Sequence, residues 1–153
     1  MRKLAAQRAI LLGTLTVGIL DGLDAVLFFR LRSATPPLRI FQSIAAGLLG
    51  RASYQGGWRT ALLGLALHFF IAFGIVLTYY LASRGVRALT RHAVACGILY
   101  GLAVYAFMNF VVIPLSAIPP RTTAVPTAVL VNGLLIHAFG VGLPAALFAK
   151  AAR

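Results

Sequence analysis

Both acidic side chains of this 153-residue chain, Asp21 and Asp24, lie three residues apart inside one apolar run. Two of its three histidines, His68 and His137, and the amide Asn109 sit in three further apolar runs. Carboxylates and imidazoles are the groups best suited to exchange protons near neutral pH once their surroundings shift their titration. Asp21, Asp24, His68 and His137 also offer the oxygen and nitrogen ligands a divalent first-row metal would take, and two imidazoles on separate helices could ligate haem b axially. Asp21, Asp24, His68, Asn109 and His137 are therefore the candidates for ligand binding or proton relay. No GxSxG elbow, HExxH helix or phosphate-binding loop accompanies them, so the sequence leans away from an enzyme and names no catalytic residue.

The segments that carry these groups are built for lipid. Apolar residues make up 61% of the chain and charged residues 10%, with a mean hydropathy of +0.94. A soluble domain of this size has too little interior to hide that much apolar surface. Four runs near residues 9–30, 60–82, 94–115 and 127–149 are each long enough to cross about 30 Å of hydrocarbon as a helix. The expected fold is all-α: one polytopic transmembrane four-helix bundle spanning residues 1–153. The start, Met1-Arg2-Lys3 before an apolar run, has the look of a signal peptide, but the run is long and holds two aspartates, so it reads as an uncleaved first span.

Between the first two spans, Ile40–Gly50 (IFQSIAAGLLG) is too short to cross and is bounded by Arg39 and Arg51. It predicts a short amphipathic helix near residues 38–52, interfacial or re-entrant. Tyr54 and Trp58 follow at the expected depth of an aromatic belt, and Tyr79 with Tyr80 is expected to anchor the other interface.

Fourteen Lys and Arg against two acids give a net charge of +12 and a pI near 11.6. Nearly all these cations flank spans, where anionic headgroups explain them better than nucleic acid does. Arg2, Lys3, Arg8, Arg84, Arg87, Arg91, Lys150 and Arg153 fall on the side of the termini, eight cations against six on the other side, which favours cytoplasmic termini. The lone Cys96 permits neither an internal disulfide nor a CxxC metal clip.

Three ordered matches suggest duplication. Gly18-Ile-Leu-Asp-Gly22-Leu23 pairs with Gly97-Ile-Leu-Tyr-Gly101-Leu102, Ser33-Ala-Thr-Pro36-Pro37 with Ser116-Ala-Ile-Pro119-Pro120, and Gly64-Leu-Ala-Leu-His68-Phe-Phe70 with Gly133-Leu-Leu-Ile-His137-Ala-Phe139. Two helical hairpins in parallel repeat, related by an axis along the membrane normal, are expected, with His68 equivalent to His137. Asp21 aligns with Tyr100, so the polar site would be asymmetric.

Depth and face bring the candidates together. At 1.5 Å per residue, Asp21, His68 and His137 fall within about 5 Å of their span centres and Asp24 and Asn109 about 7 Å away, all toward the same side. Small residues share their helix faces, which marks them as pointing into the bundle. A charged carboxylate near the bilayer centre costs roughly 2.5 to 3.5 kcal/mol on insertion scales, so two in one helix call for partners, water or protonation. The plainer alternative is a hydrogen-bonded network that only holds helices together, the role expected of Asn132.

The run Arg39–Gly50, then Gln55-Gly-Gly57, Leu67–Phe73, Tyr100-Gly101, Met108-Asn109-Phe-Val-Val-Ile-Pro-Leu-Ser116 and His137 through Pro144 resembles a family of small bacterial integral membrane proteins with no assigned activity. The likeness covers nearly the whole chain and implies a bacterial inner-membrane location. The functions to weigh are transport or binding of protons, a cation or a small polar solute; haem b or metal binding through His68 and His137; and a non-catalytic assembly role. The lipid bilayer and a second copy of the chain are the expected partners.

Overall fold

The structure, a computed structural model, describes residues 2–120 and 122–153. Its helices are α1 (Arg2–Ser33), α2 (Pro37–Leu49), α3 (Gly57–Gly85), the single turn α4 (Ala88–Arg91), α5 (Ala93–Leu115) and α6 (Thr127–Ala151), with a 3-10 stretch at Gly50–Gln55 joining α2 to α3. Four are long and apolar enough to cross a membrane: Ala5–Ser33 of α1, then α3, α5 and α6. α1 and α3 overrun the apolar runs read from the sequence at both ends, because flanking residues continue the hydrogen-bonded turns until Pro or Gly stops them. Ser33 precedes Ala34-Thr35-Pro36, and α3 ends on Gly85. Leu27, Phe70, Leu99 and Phe110 all turn outward, as lipid-facing side chains do.

α6 lies against α1, α3 and α5, and α1 packs along α3. Helix contacts are unevenly distributed along the bundle. On the side of the termini, Val17, Val76, Tyr79, Val141, Ala145 and Ala146 form a closed core. Tyr79 is part of it: the side chain is buried, its hydroxyl donates to the Leu89 carbonyl at 2.9 Å, and its ring meets Tyr100 edge-on at 5.0 Å. That corrects the expectation of an interface anchor. A satisfied hydroxyl lets the large ring serve as core instead. Toward the other side the helices splay apart around a cleft.

α2 caps the splayed end. Its Phe41 carbonyl lies so close to Gly64 that a side chain there would collide with it, and Gln42 donates to the Gly57 carbonyl at 3.0 Å. Both contacts fall within the first eight residues of α3, so this stretch of α2 crosses within about 10 Å of that helix's end. The loop after α5 is tied down as well, through Ala117 N–H to the Gly47 carbonyl at 2.9 Å. The short helix runs Pro37–Leu49, with the remainder of the expected segment in the 3-10 stretch.

Two spans widen locally. α5 is π-helical over Met108–Val112 and α6 over Ile136–Gly142, each just before a proline, Pro114 or Pro144. Proline has no N–H to give the carbonyl four residues back, and its ring crowds that carbonyl. A wider turn relieves both problems, and such turns often sit at functional sites.

Candidate functional site

The cleft on the α2 side has a volume of about 560 Å³ and is walled by α1, α2, α3, α5 and α6. Most of its lining is apolar. Asp21, Asp24, His68, Asn109 and His137 all line it, together with Asn132. Its deep end is formed by Val17, Ile75 and Val141, next to the closed core, while Thr35, Arg39 and Tyr54 lie at its mouth. The Arg39 guanidinium sits over the Tyr54 ring at 5.4 Å and donates to the Tyr54 carbonyl at 3.4 Å, which holds it at the rim.

His68 reaches from α3 to α1. Its Nε2 is 2.8 Å from the Gly18 carbonyl, an oxygen that can only accept, so Nε2 carries the hydrogen. Gly22 makes room for the ring: a Cβ there would come within 3.2 Å of Nε2. The other ring nitrogen, Nδ1, is the one nearest Asp21, 3.9 Å from Oδ2. A neutral imidazole with hydrogen on Nε2 presents a lone pair at Nδ1. An ionised carboxylate beside it is also an acceptor only. At 3.9 Å these two acceptors make no direct hydrogen bond, and a proton on either group, a small cation or a bridging water can satisfy both.

Asp24 is held differently. Its Oδ2 accepts from Asn132 Nδ2 at 2.7 Å, a bond that joins α1 to α6. Asn132 is the helix glue expected of it, fastened to a candidate site residue. Depth alone was a usable signal: Asn132 lies about 9 Å from the centre of its span on the same side as Asp24.

Asn109 and His137 are each the second residue of the two π-helical stretches. In a wide turn the backbone donor bonds five residues back, so the carbonyl four back can take a side chain. Asn109 Nδ2 donates to Tyr105 O at 2.9 Å, and His137 Nδ1 to Gly133 O at 2.9 Å. The His137 ring also meets Tyr105 edge-on at 5.2 Å. Its Nε2 is thereby left as the acceptor.

The candidates thus share one cleft without forming one cluster. Asp21 meets His68 and Asp24 meets Asn132, whereas Asn109 and His137 bond within their own helices. No known protein family, curated protein or solved structure matches this chain. Its function has to be argued from the cleft.

A divalent first-row metal or haem does not suit this arrangement. Among the described residues no three His, Cys, Asp or Glu side chains gather where they could hold a metal ion. Axial haem ligation by both imidazoles would require His68 to give up a nitrogen already bound to the Gly18 carbonyl or to turn Nδ1 away from Asp21. No chemistry is therefore routed through either group.

Proposed function

We propose that this chain is a membrane-embedded binding protein for protons and a monovalent cation, built to transport them, with Asp21 and His68 as the exchange site. The observation that carries this reading is the Asp21–His68 pair: the Gly18 carbonyl fixes the imidazole tautomer, so the Nδ1 lone pair and the carboxylate lie 3.9 Å apart as two acceptors with no protein donor between them, a place one proton or small cation can fill. A network serving only as glue would close every such pair with a donor, as Asn132 does for Asp24. At Asp21 it does not.

The shape of the bundle supports the same reading. The terminal-side half is packed shut and the α2-side half holds the cleft, which is how a carrier open to one side is built. Transport would require the closed core to part or a second copy to complete the route, and we favour a homo-oligomer. The eight-to-six division of cations favours termini in the cytoplasm of a bacterial inner membrane, with the cleft facing outward. The two hairpins are read as a parallel duplication. Gly22 lies against the His68 ring and Gly101 against the His137 backbone, so equivalent glycines meet equivalent histidines in the two halves.

The test is proton flux in liposomes reconstituted with the protein under an imposed pH gradient, with Na⁺ or K⁺ on the opposite side. The wild type should dissipate the gradient, and Asp21→Asn and His68→Gln should not while remaining folded. Flux unchanged in both variants would remove the exchange site from the account.

A further inference from the structure

The cleft has a chemical character that goes beyond holding a proton, and it shows in which half of each polar side chain is already occupied. Asn109 uses one amide N–H on Tyr105 O, Asn132 uses one of its own on Asp24, His68 its Nε2–H on Gly18 O, and His137 its Nδ1–H on Gly133 O. The acceptors on these same groups stay open. Among the described residues, Asn109 Oδ1, Asn132 Oδ1, Asp24 Oδ1 and His137 Nε2 accept no protein hydrogen bond, and Asp21 has only the 3.9 Å approach of His68. Six side chains on four helices therefore line one apolar cavity with their donors largely turned to the protein and their acceptors unspent.

Charge points the same way. If Asp21 and His68 share one proton, they cancel, and Asp24 leaves the deep part of the cleft with a net charge of −1. Arg39 is held at the mouth by Tyr54. A cavity of about 560 Å³ lies in the range of roughly 300–1,000 Å³ that holds drug-sized organic ligands, far larger than a bare monovalent ion needs.

Resting on the proton and cation reading above, we infer that the natural ligand is an organic ammonium ion with N–H donors and an apolar or aromatic body, bound in exchange for the proton of the Asp21–His68 pair. The ammonium supplies N–H donors to the open carboxylate, amide and imidazole acceptors, and its body packs on the apolar wall formed by side chains such as Phe28, Ile71 and Ile136. No covalent bond changes. As the cation enters, the shared proton leaves to bulk water, so one positive charge replaces another and the charge of the cleft is the same before and after the exchange.

The experiment is titration calorimetry of the protein in detergent with three two-ring probes: dibenzylammonium, the neutral dibenzyl ether of nearly the same shape, and the anion diphenylacetate. Dibenzylammonium should bind and the other two should not. Its apparent heat should vary with buffer ionisation enthalpy, because a proton is released. Asp24→Asn should weaken it about tenfold or more through loss of a charge-assisted contact, and Asp21→Asn should abolish the buffer dependence.

Binding of dibenzyl ether as tight as that of the amine would overturn the inference, since the cleft would then read shape alone. Absence of dibenzylammonium binding in a protein whose liposomes still carry proton and Na⁺ or K⁺ flux would also overturn it, while leaving the exchange site standing. Absence of both binding and flux would overturn the two together.

Discussion

Truncating Asn132 to Ala removes the one donor that meets Asp24 among the described residues, and the cost depends on what Asp24 is. The bond is 2.7 Å long, in the range of charge-assisted contacts, and runs between α1 and α6. A hydrogen bond to an ionised carboxylate contributes about 1.5–3 kcal/mol, whereas interhelical hydrogen bonds inside membranes average about 0.6 kcal/mol. Asn132→Ala also deletes part of a half-buried amide, so the single variant mixes packing with bonding. A double-mutant cycle with Asp24→Ala, which removes the acceptor, separates them.

The cycle should yield a coupling of about 1.5–3 kcal/mol if Asp24 is ionised, because its remaining acceptors lie in an apolar cleft with little water to compensate. Equilibrium unfolding in mixed micelles, read by far-UV circular dichroism for the four proteins, supplies the numbers. Coupling near 0.6 kcal/mol would mean a neutral Asp24, and the charge count that makes the cleft anionic would be wrong. Coupling indistinguishable from zero would refute the bond itself.

Other variants probe other parts of the structure. Gly101→Ala would drive a methyl group into the His137 backbone carbonyl and should destabilise the bundle by about 1–3 kcal/mol in the same unfolding assay, whereas Gly74→Ala, which meets nothing within 4 Å, should change stability little. Gly22→Ala places a Cβ about 3.2 Å from His68 Nε2 and should lower proton flux in liposomes more than it lowers stability, by pushing the ring off the Gly18 carbonyl. Pro144→Ala restores the backbone donor four residues beyond Gly140 and should tighten the wide turn of α6, loosening the His137 bond to Gly133 and raising amide exchange protection across Ile136–Gly142.

Much of this architecture is visible in the sequence for simple reasons. Lipid imposes length and polarity on each span, so four apolar runs and the Arg39-bounded short helix locate all five helices that build the cleft. The gathering of Asp21, Asp24, His68, Asn109 and His137 at one depth follows from counting residues, because a straight span converts position into depth. What counting could not show is which atom meets which. Asn109 and His137 turn back onto their own backbones because prolines five and seven residues later widen the helices, and nothing in hydropathy reports a wide turn. Tyr79 looked like an interface residue from its place near a span end. A one-turn helix folds back and offers the Leu89 carbonyl to its hydroxyl, and that long-range partner turns an edge position into core.

The account depends most on the Asp21–His68 pair, and nitrogen NMR of the protein labelled only at histidine and held in lipid bilayers tests it directly. His68 should show Nε2 bonded to hydrogen at all pH values where the protein is folded. Its Nδ1 signal should move between protonated and unprotonated positions on proton or dibenzylammonium binding, and this response should vanish in Asp21→Asn. A His68 with hydrogen fixed on Nδ1 and none on Nε2, or an Nδ1 signal indifferent to both ligands and to Asp21, would contradict it.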